Sequence, residues 1–109
     1  MPMCELTKVS DCKIQLTGAL NFDTVPALWN KLVDFFSSMP SILIDLTDID
    51  YCDSAGVALL LECVRFSKTA QKPIQFINLP AQLLALAKAT AVDGMLPIYD
   101  DNDTNKNSA

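Results

Sequence analysis

The sequence contains no histidine and only three glycines. Without an imidazole, the usual general base of serine and cysteine hydrolases is missing, as is the commonest metal ligand. Neither GxxxxGK[ST] nor GxGxxG occurs, so no nucleotide-binding phosphate loop is expected. Basic residues are scarce: eight Lys and Arg stand against 13 Asp and Glu, a net charge of −5. Nucleic acids and anionic membranes bind basic faces, so neither is expected as a direct partner. No apolar run reaches the length of a membrane span. The start, MPMCELTKVSDCK, lacks the apolar core of a signal peptide, so the expected location is the cytoplasm. The four cysteines, Cys4, Cys12, Cys52 and Cys63, have no CxxC spacing. A zinc site would need thiolates from scattered positions, and buried reduced thiols are the simpler expectation. Cys52, beside a polar loop, is the one with a prospect of exposure.

What is present is a core. Half of the 109 residues are apolar, enough to fold one domain, expected over residues 1–99. Residues 100–109, DDNDTNKNSA, are acidic and almost free of apolar residues, the composition of a disordered tail.

Residues 4–9 and 12–17 read as two strands joined at Ser10-Asp11, with Cys12, Ile14 and Leu16 alternating against polar neighbours. Gly18 to Asn21 reads as a further short extended piece or turn. Asp23 or Thr24 can cap a helix with Pro26 in its first turn, running to about Ser37. Ile42, Leu43 and Ile44 form a continuous apolar run, as in a strand buried on both faces. A helix after Gly56 runs to about Ala70, a strand follows Pro73, and a long helix starts at Asn78 to Pro80 and ends before Gly94. Leu96 to Tyr99 can add a short strand. The unit at 42–77 is a βαβ crossover. The expected class is α/β, with a mixed sheet of about four to five strands and helices packed against it.

The most informative stretch is IDLTDIDYCDSAGVALLL at 44–61. An apolar strand passes through a polar loop to Asp53-Ser54-Ala55-Gly56 and an apolar helix. Function in open α/β sheets gathers at such carboxyl ends of strands. On that helix Leu59, Leu60, Cys63, Phe66 and Ala70 make one apolar face. Val57, Leu61 and Val64 make a second stripe, flanked by Ser54 and Arg65 and ended by Lys68. Either a neighbouring helix covers that stripe or a partner protein does.

Catalysis by Ser54 finds no base: no His exists, no Lys lies in its loop, and Asp53 does not face it. Asp45, Asp48, Asp50 and Asp53 recur every two or three residues, but the spacing is no EF-hand loop, and turn formation or capping accounts for them. No cofactor and no metal are expected, and no enzyme. Two readings of Ser54 stay open. It is an ordinary N-cap, or it is a contact point on an exposed, glycine-containing helix start after Tyr51. A phosphoryl group there would add about −1.5 to −2 charges and block a packed interface.

LTGALNFDT at 16–24, LIDLTDIDYCDSAGVALLL at 43–61 and the order of elements through LPIYD at 96–100 resemble the STAS family, named for sulfate transporters and anti-sigma-factor antagonists. The family pattern, a strand ending in D-L, a short loop, D-[ST]-[SATG]-G and an apolar helix, is met at Asp45-Leu46 and Asp53 to Gly56. Within the family, PALW at 26–29, GVALLLECVRFSKTAQ at 56–71 and LLALAKATAVDGMLP at 83–97 are most similar to the cytoplasmic STAS subunit of Mla phospholipid transporters. That resemblance implies a non-catalytic subunit that binds the ABC transporter's ATPase (MlaF-like), and through it the permease, at the inner membrane, in the upkeep of outer-membrane lipid asymmetry. It implies that Ser54 takes the place of a Thr at the ATPase interface, with Trp29 contributing. The expected contact residues are Trp29, Tyr51, Asp53, Ser54, Ala55, Val57, Leu61 and Arg65. Two departures stand out: Ala55 replaces a frequent Gly of the transporter subunits, and Ala19 replaces a frequent acid of the family. The alternative is an anti-sigma-factor antagonist, which implies that Ser54 is phosphorylated by an anti-sigma kinase. A lipid carrier, a third possibility, would need an enclosed apolar pocket.

Overall fold

Alternation of apolar and polar residues along the first strands leaves only one apolar sheet face, and every helix packs there. A computed structural model describes residues 3–99 of the chain. The elements are β1 (Cys4–Ser10), β2 (Lys13–Leu20), α1 (Val25–Ser38), β3 (Ile42–Cys52), α2 (Ser54–Ala70), β4 (Ile74–Ile77), α3 (Ala81–Ala89), a 3₁₀ turn (Asp93–Met95) and β5 (Ile98–Tyr99). The five strands lie in the order β1-β2-β3-β4-β5. β1 is antiparallel to β2, and the other pairs are parallel. The class is therefore the α/β fold with a mixed sheet, and the βαβ unit falls at 42–77. The acidic tail at 100–109 lies outside the described residues.

The core forms on one side. Ile14, Leu16, Ile42, Ile44, Leu46 and Phe76 face Leu28, Leu32 and Phe36 of α1, Leu59, Leu60 and Cys63 of α2, and Leu83 and Ala87 of α3, all buried. Each buried Leu, Ile or Phe contributes about 1.5–3 kcal/mol relative to exposure. Trp29, Phe36 and Phe66 weld α1 to α2 through ring contacts of 5.4–6.4 Å. The opposite sheet face carries Lys13, Gln15, Asp48 and Gln75, none fully buried. This corrects the expectation for Ile42-Leu43-Ile44: Leu43 lies on the open face and is only half-buried.

A second correction concerns residues 47–52, which read as a polar loop. They continue β3, because β2 runs on beside them through Leu20, and the two strands share two bulges. Asp48 and Asp50 point to solvent from this strand, so their polarity is that of an open sheet face. The entry to α1 also differs from the expectation. Thr24 is the N-cap residue but makes no capping bond with its side chain. Its hydroxyl donates to the Ala19 carbonyl at 2.7 Å, and Asn21 Oδ1 accepts from the Asp23 and Thr24 amides at 2.8 and 3.0 Å.

Candidate functional site

Parallel pairing of β2 with β3 sets the two carboxyl ends side by side, Ala19 opposite Tyr51 and Leu20 opposite Cys52. The Asp53 amide donates to the Leu20 carbonyl at 3.0 Å, which fixes where the chain leaves the sheet. Asp53 is extended and is the N-cap of α2; its Oδ1 accepts from the Ala55 amide at 2.8 Å. Ser54 is thus the first residue inside the helix and not its cap. It is exposed, and its hydroxyl makes no side-chain hydrogen bond among the described residues.

Burial divides the expected contact residues. Tyr51, Ser54 and Arg65 are exposed, and Asp53 and Leu61 are half-buried. Ala55 and Val57, expected at the partner surface, are buried at 5 % and 6 % exposure, and this overturns their place there. Val64, of the same stripe, is buried at 8 %. At about 100° per residue these side chains fall on the flanks of the core-facing arc centred on Leu60, Cys63 and Ser67. Gly56 is buried too, contrary to an exposed start: an added Cβ would lie 3.3 Å from Leu20 Cβ and from Leu83 Cδ1. Cys52, with its prospect of exposure, is buried at 1 %. The stripe that does face solvent is Ser54, Ala58, Leu61 and Arg65, at spacings of four, three and four. Ala58 was missed although its helical spacing from Ser54 signals it. Phe22, in the turn after β2, was missed as well and is 70 % exposed.

Trp29 is half-buried and set edge-on against Phe36 and Phe66, with ring centroids 6.4 Å apart in each pair. Phe66 lies twelve residues beyond Ser54, about 18 Å along the helix axis.

The acidic series does not gather into a site either. Asp45 accepts from the Thr47 amide and hydroxyl at 3.0 and 2.6 Å and from Asn78 Nδ2 at 3.1 Å, with Lys13 Nζ at 3.7 Å. Burial pushes its carboxyl up, but the bonds from Thr47 and Asn78 and the Lys13 charge together outweigh that and hold it below the usual carboxylate range. Asp48 accepts from Gln15 Nε2 at 2.7 Å. These carboxylates stitch the open sheet face together. No group of three or more His, Cys, Asp or Glu side chains that could hold a metal occurs among the described residues. Burial also raises the thiols of Cys4 (to about 11), Cys52 and Cys63, which keeps them protonated and unreactive.

Surface grooves of about 500 and 550 Å³ lie near Pro73 and Pro97, at the opposite end of α2 from Ser54. No described helix is long and apolar enough to cross a membrane. The arrangement at Ser54 offers an exposed hydroxyl at a positive helix end and an exposed helix stripe, which suits docking and acceptance of a phosphoryl group.

The family model described as "Mlab, STAS domain" matches residues 5–97. The anti-sigma-B factor antagonist of Bacillus subtilis is 24 % identical over 89 residues, spanning 82 % of this chain and 82 % of that protein. Among solved structures, the anti-sigma factor antagonist SpoIIAA in its unphosphorylated form superposes with a TM-score of 0.70 at 15 % identity, covering 96 % of this chain and 95 % of that one. An anti-sigma factor antagonist from Mycobacterium paratuberculosis superposes with a TM-score of 0.71 at 17 % identity, covering 91 % and 86 %. At these identities the structures show the shared fold.

Proposed function

This chain belongs to the STAS domain family, and from that premise we propose that it is a non-catalytic cytoplasmic subunit that docks on a partner protein through the start of α2. The observation that carries the proposal is the exposed Ser54 hydroxyl. Asp53 already caps the helix, so capping does not account for Ser54. With no base beside it, docking or phosphate acceptance is the chemistry left to it.

Two partner classes fit, and both use ATP. The named relatives give more weight to an anti-sigma kinase, with Ser54 as the phosphorylated residue and the chain as an anti-sigma-factor antagonist. A phosphoryl group on Ser54 would place about −1.5 to −2 charges at the head of the stripe, next to Asp53, and disrupt a packed interface. The description of the family model gives specific support to the second class, the MlaF-like ATPase of a phospholipid-transporting ABC system. There the chain would be the MlaB-like accessory subunit, held at the inner membrane through the complex and reaching the permease only indirectly.

The test is co-expression of the chain with each candidate, the kinase and the ATPase encoded in its own genome, followed by affinity purification. Ser54→Arg is expected to abolish recovery of the true partner with the circular dichroism spectrum unchanged. For the kinase reading, intact mass spectrometry should find a phosphoryl group, and Ser54→Asp should weaken binding while Ser54→Ala keeps it. Recovery of both candidates undiminished by Ser54→Arg would remove α2 from the interface.

A further inference from the structure

We propose that the carboxyl edge of the sheet carries an aromatic patch with an acidic rim, built on Phe22 and Tyr51, which receives an arginine- or lysine-bearing surface of the docking partner. The inference rests on the docking reading of Ser54 and extends it to the chemistry of the partner. Of the five exposed large hydrophobic side chains among the described residues, Phe22 at 70 %, Met3 at 65 % and Tyr51 at 50 % lie at this one edge. Pairing puts them there. Tyr51 is opposite Ala19, the Ala19 amide donates to the Met3 carbonyl at 2.8 Å, and Phe22 follows β2 by two residues. Solvent-facing apolar groups gathered in this way mark an interaction surface.

The surrounding charge selects the occupant. Glu5, Asp23, Asp50 and Asp53 stand at the same edge, with Lys31 as the nearby base. Lys13 pairs with Leu43 at the far end of β2, and Lys72 lies just before β4. Phenyl and phenol faces bounded by carboxylates attract a guanidinium or ammonium by cation–π and ionic contact. A second copy of this chain would set acid against acid across the edge, so the patch fits a basic partner and not itself.

The test uses the full chain and whichever purified partner, kinase or ATPase, shows Ser54-dependent recovery. Association is followed by stopped-flow fluorescence between about 50 and 500 mM KCl. Phe22→Ser and Tyr51→Ser are each expected to weaken binding at least about tenfold. Asp50→Lys should slow association and flatten its salt dependence. Phe22 is exposed, so its variant should fold as the parent does. Unchanged affinity in both aromatic variants, with Ser54→Arg still abolishing binding, would overturn the patch and leave the docking reading intact. Binding that survives Ser54→Arg would defeat the docking reading itself. A dimer of the chain alone, seen by light scattering and lost in Phe22→Ser, would overturn the proposal in favour of self-association.

Discussion

Replacing Asp53 by Ala tests whether the α2 start is built as described. Asp53 Oδ1 accepts from the Ala55 amide at 2.8 Å, a bond worth about 1 kcal/mol at an N-cap. Its negative charge beside the positive helix end adds about 0.3–1 kcal/mol. The variant should therefore lose about 1.3–2 kcal/mol. For a domain of this size that is a fall in Tm of about 5–10 °C. Asp53→Asn keeps a capping oxygen and loses the charge, so it should sit between the two. Ser54→Ala removes a hydroxyl with no hydrogen-bond partner among the described residues and places a better helix former in the first turn, so its stability should change by no more than about 0.5 kcal/mol. Urea unfolding followed by far-ultraviolet circular dichroism gives all three values. If Ser54→Ala costs as much as Asp53→Ala, Ser54 is the cap, and its hydroxyl is not free for a partner.

Gly18 has φ +113°, and a Cβ there would lie 2.1 Å from the Met3 carbonyl oxygen. Gly18→Ala should cost at least about 1–3 kcal/mol and speed amide exchange at Ala19, whose amide bonds to that oxygen; exchange rates equal to the parent's would refute the close approach. The Asp45 carboxyl is held below its ordinary value, so its stabilising effect is complete above about pH 4 and is lost as the pH falls through the lowered folded value. Asp45→Asn should cost about 1–3 kcal/mol near neutrality and flatten the acid limb of the stability profile, measured by urea midpoints across pH. Trp29→Ala should destabilise by about 2–4 kcal/mol through the lost contacts with Phe36 and Phe66, and Trp29→Phe by much less. If binding tracks these losses of stability, the effect of Trp29 on a partner is one of folding and not of contact. Native thiol titration with a chromogenic disulfide should reach Cys12 first and Cys52 and Cys63 only in denaturant, given the burial of the last two.

Most of the architecture is legible in the order of residues alone. Strict alternation at Cys12 to Thr17, the helix start at Pro26, and the Asp53 to Gly56 turn before an apolar run each depend on neighbours a few residues apart. Strand, helix start and helix stop are local events, so local pattern was enough for them. The DSAG turn within its strand–helix frame carried the family as well, because that motif is contiguous in the chain. Facing and exposure were decided only in the tertiary structure. Whether Val57 meets solvent depends on how α2 is rotated against the sheet and its neighbouring helices, which no property of residues 54–70 alone reveals. Whether 47–52 is loop or strand depends on β2, some thirty residues earlier in the chain, running on beside it. Ser54 and Asp53 are both good capping residues, and the hydrogen bond that the Asp53 amide donates to the Leu20 carbonyl, fixed by the sheet, assigns the cap to one and leaves the hydroxyl of the other at the surface. Phe22 joins Tyr51 and Ser54 at one edge for the same reason: parallel pairing makes neighbours of residues that the chain keeps far apart.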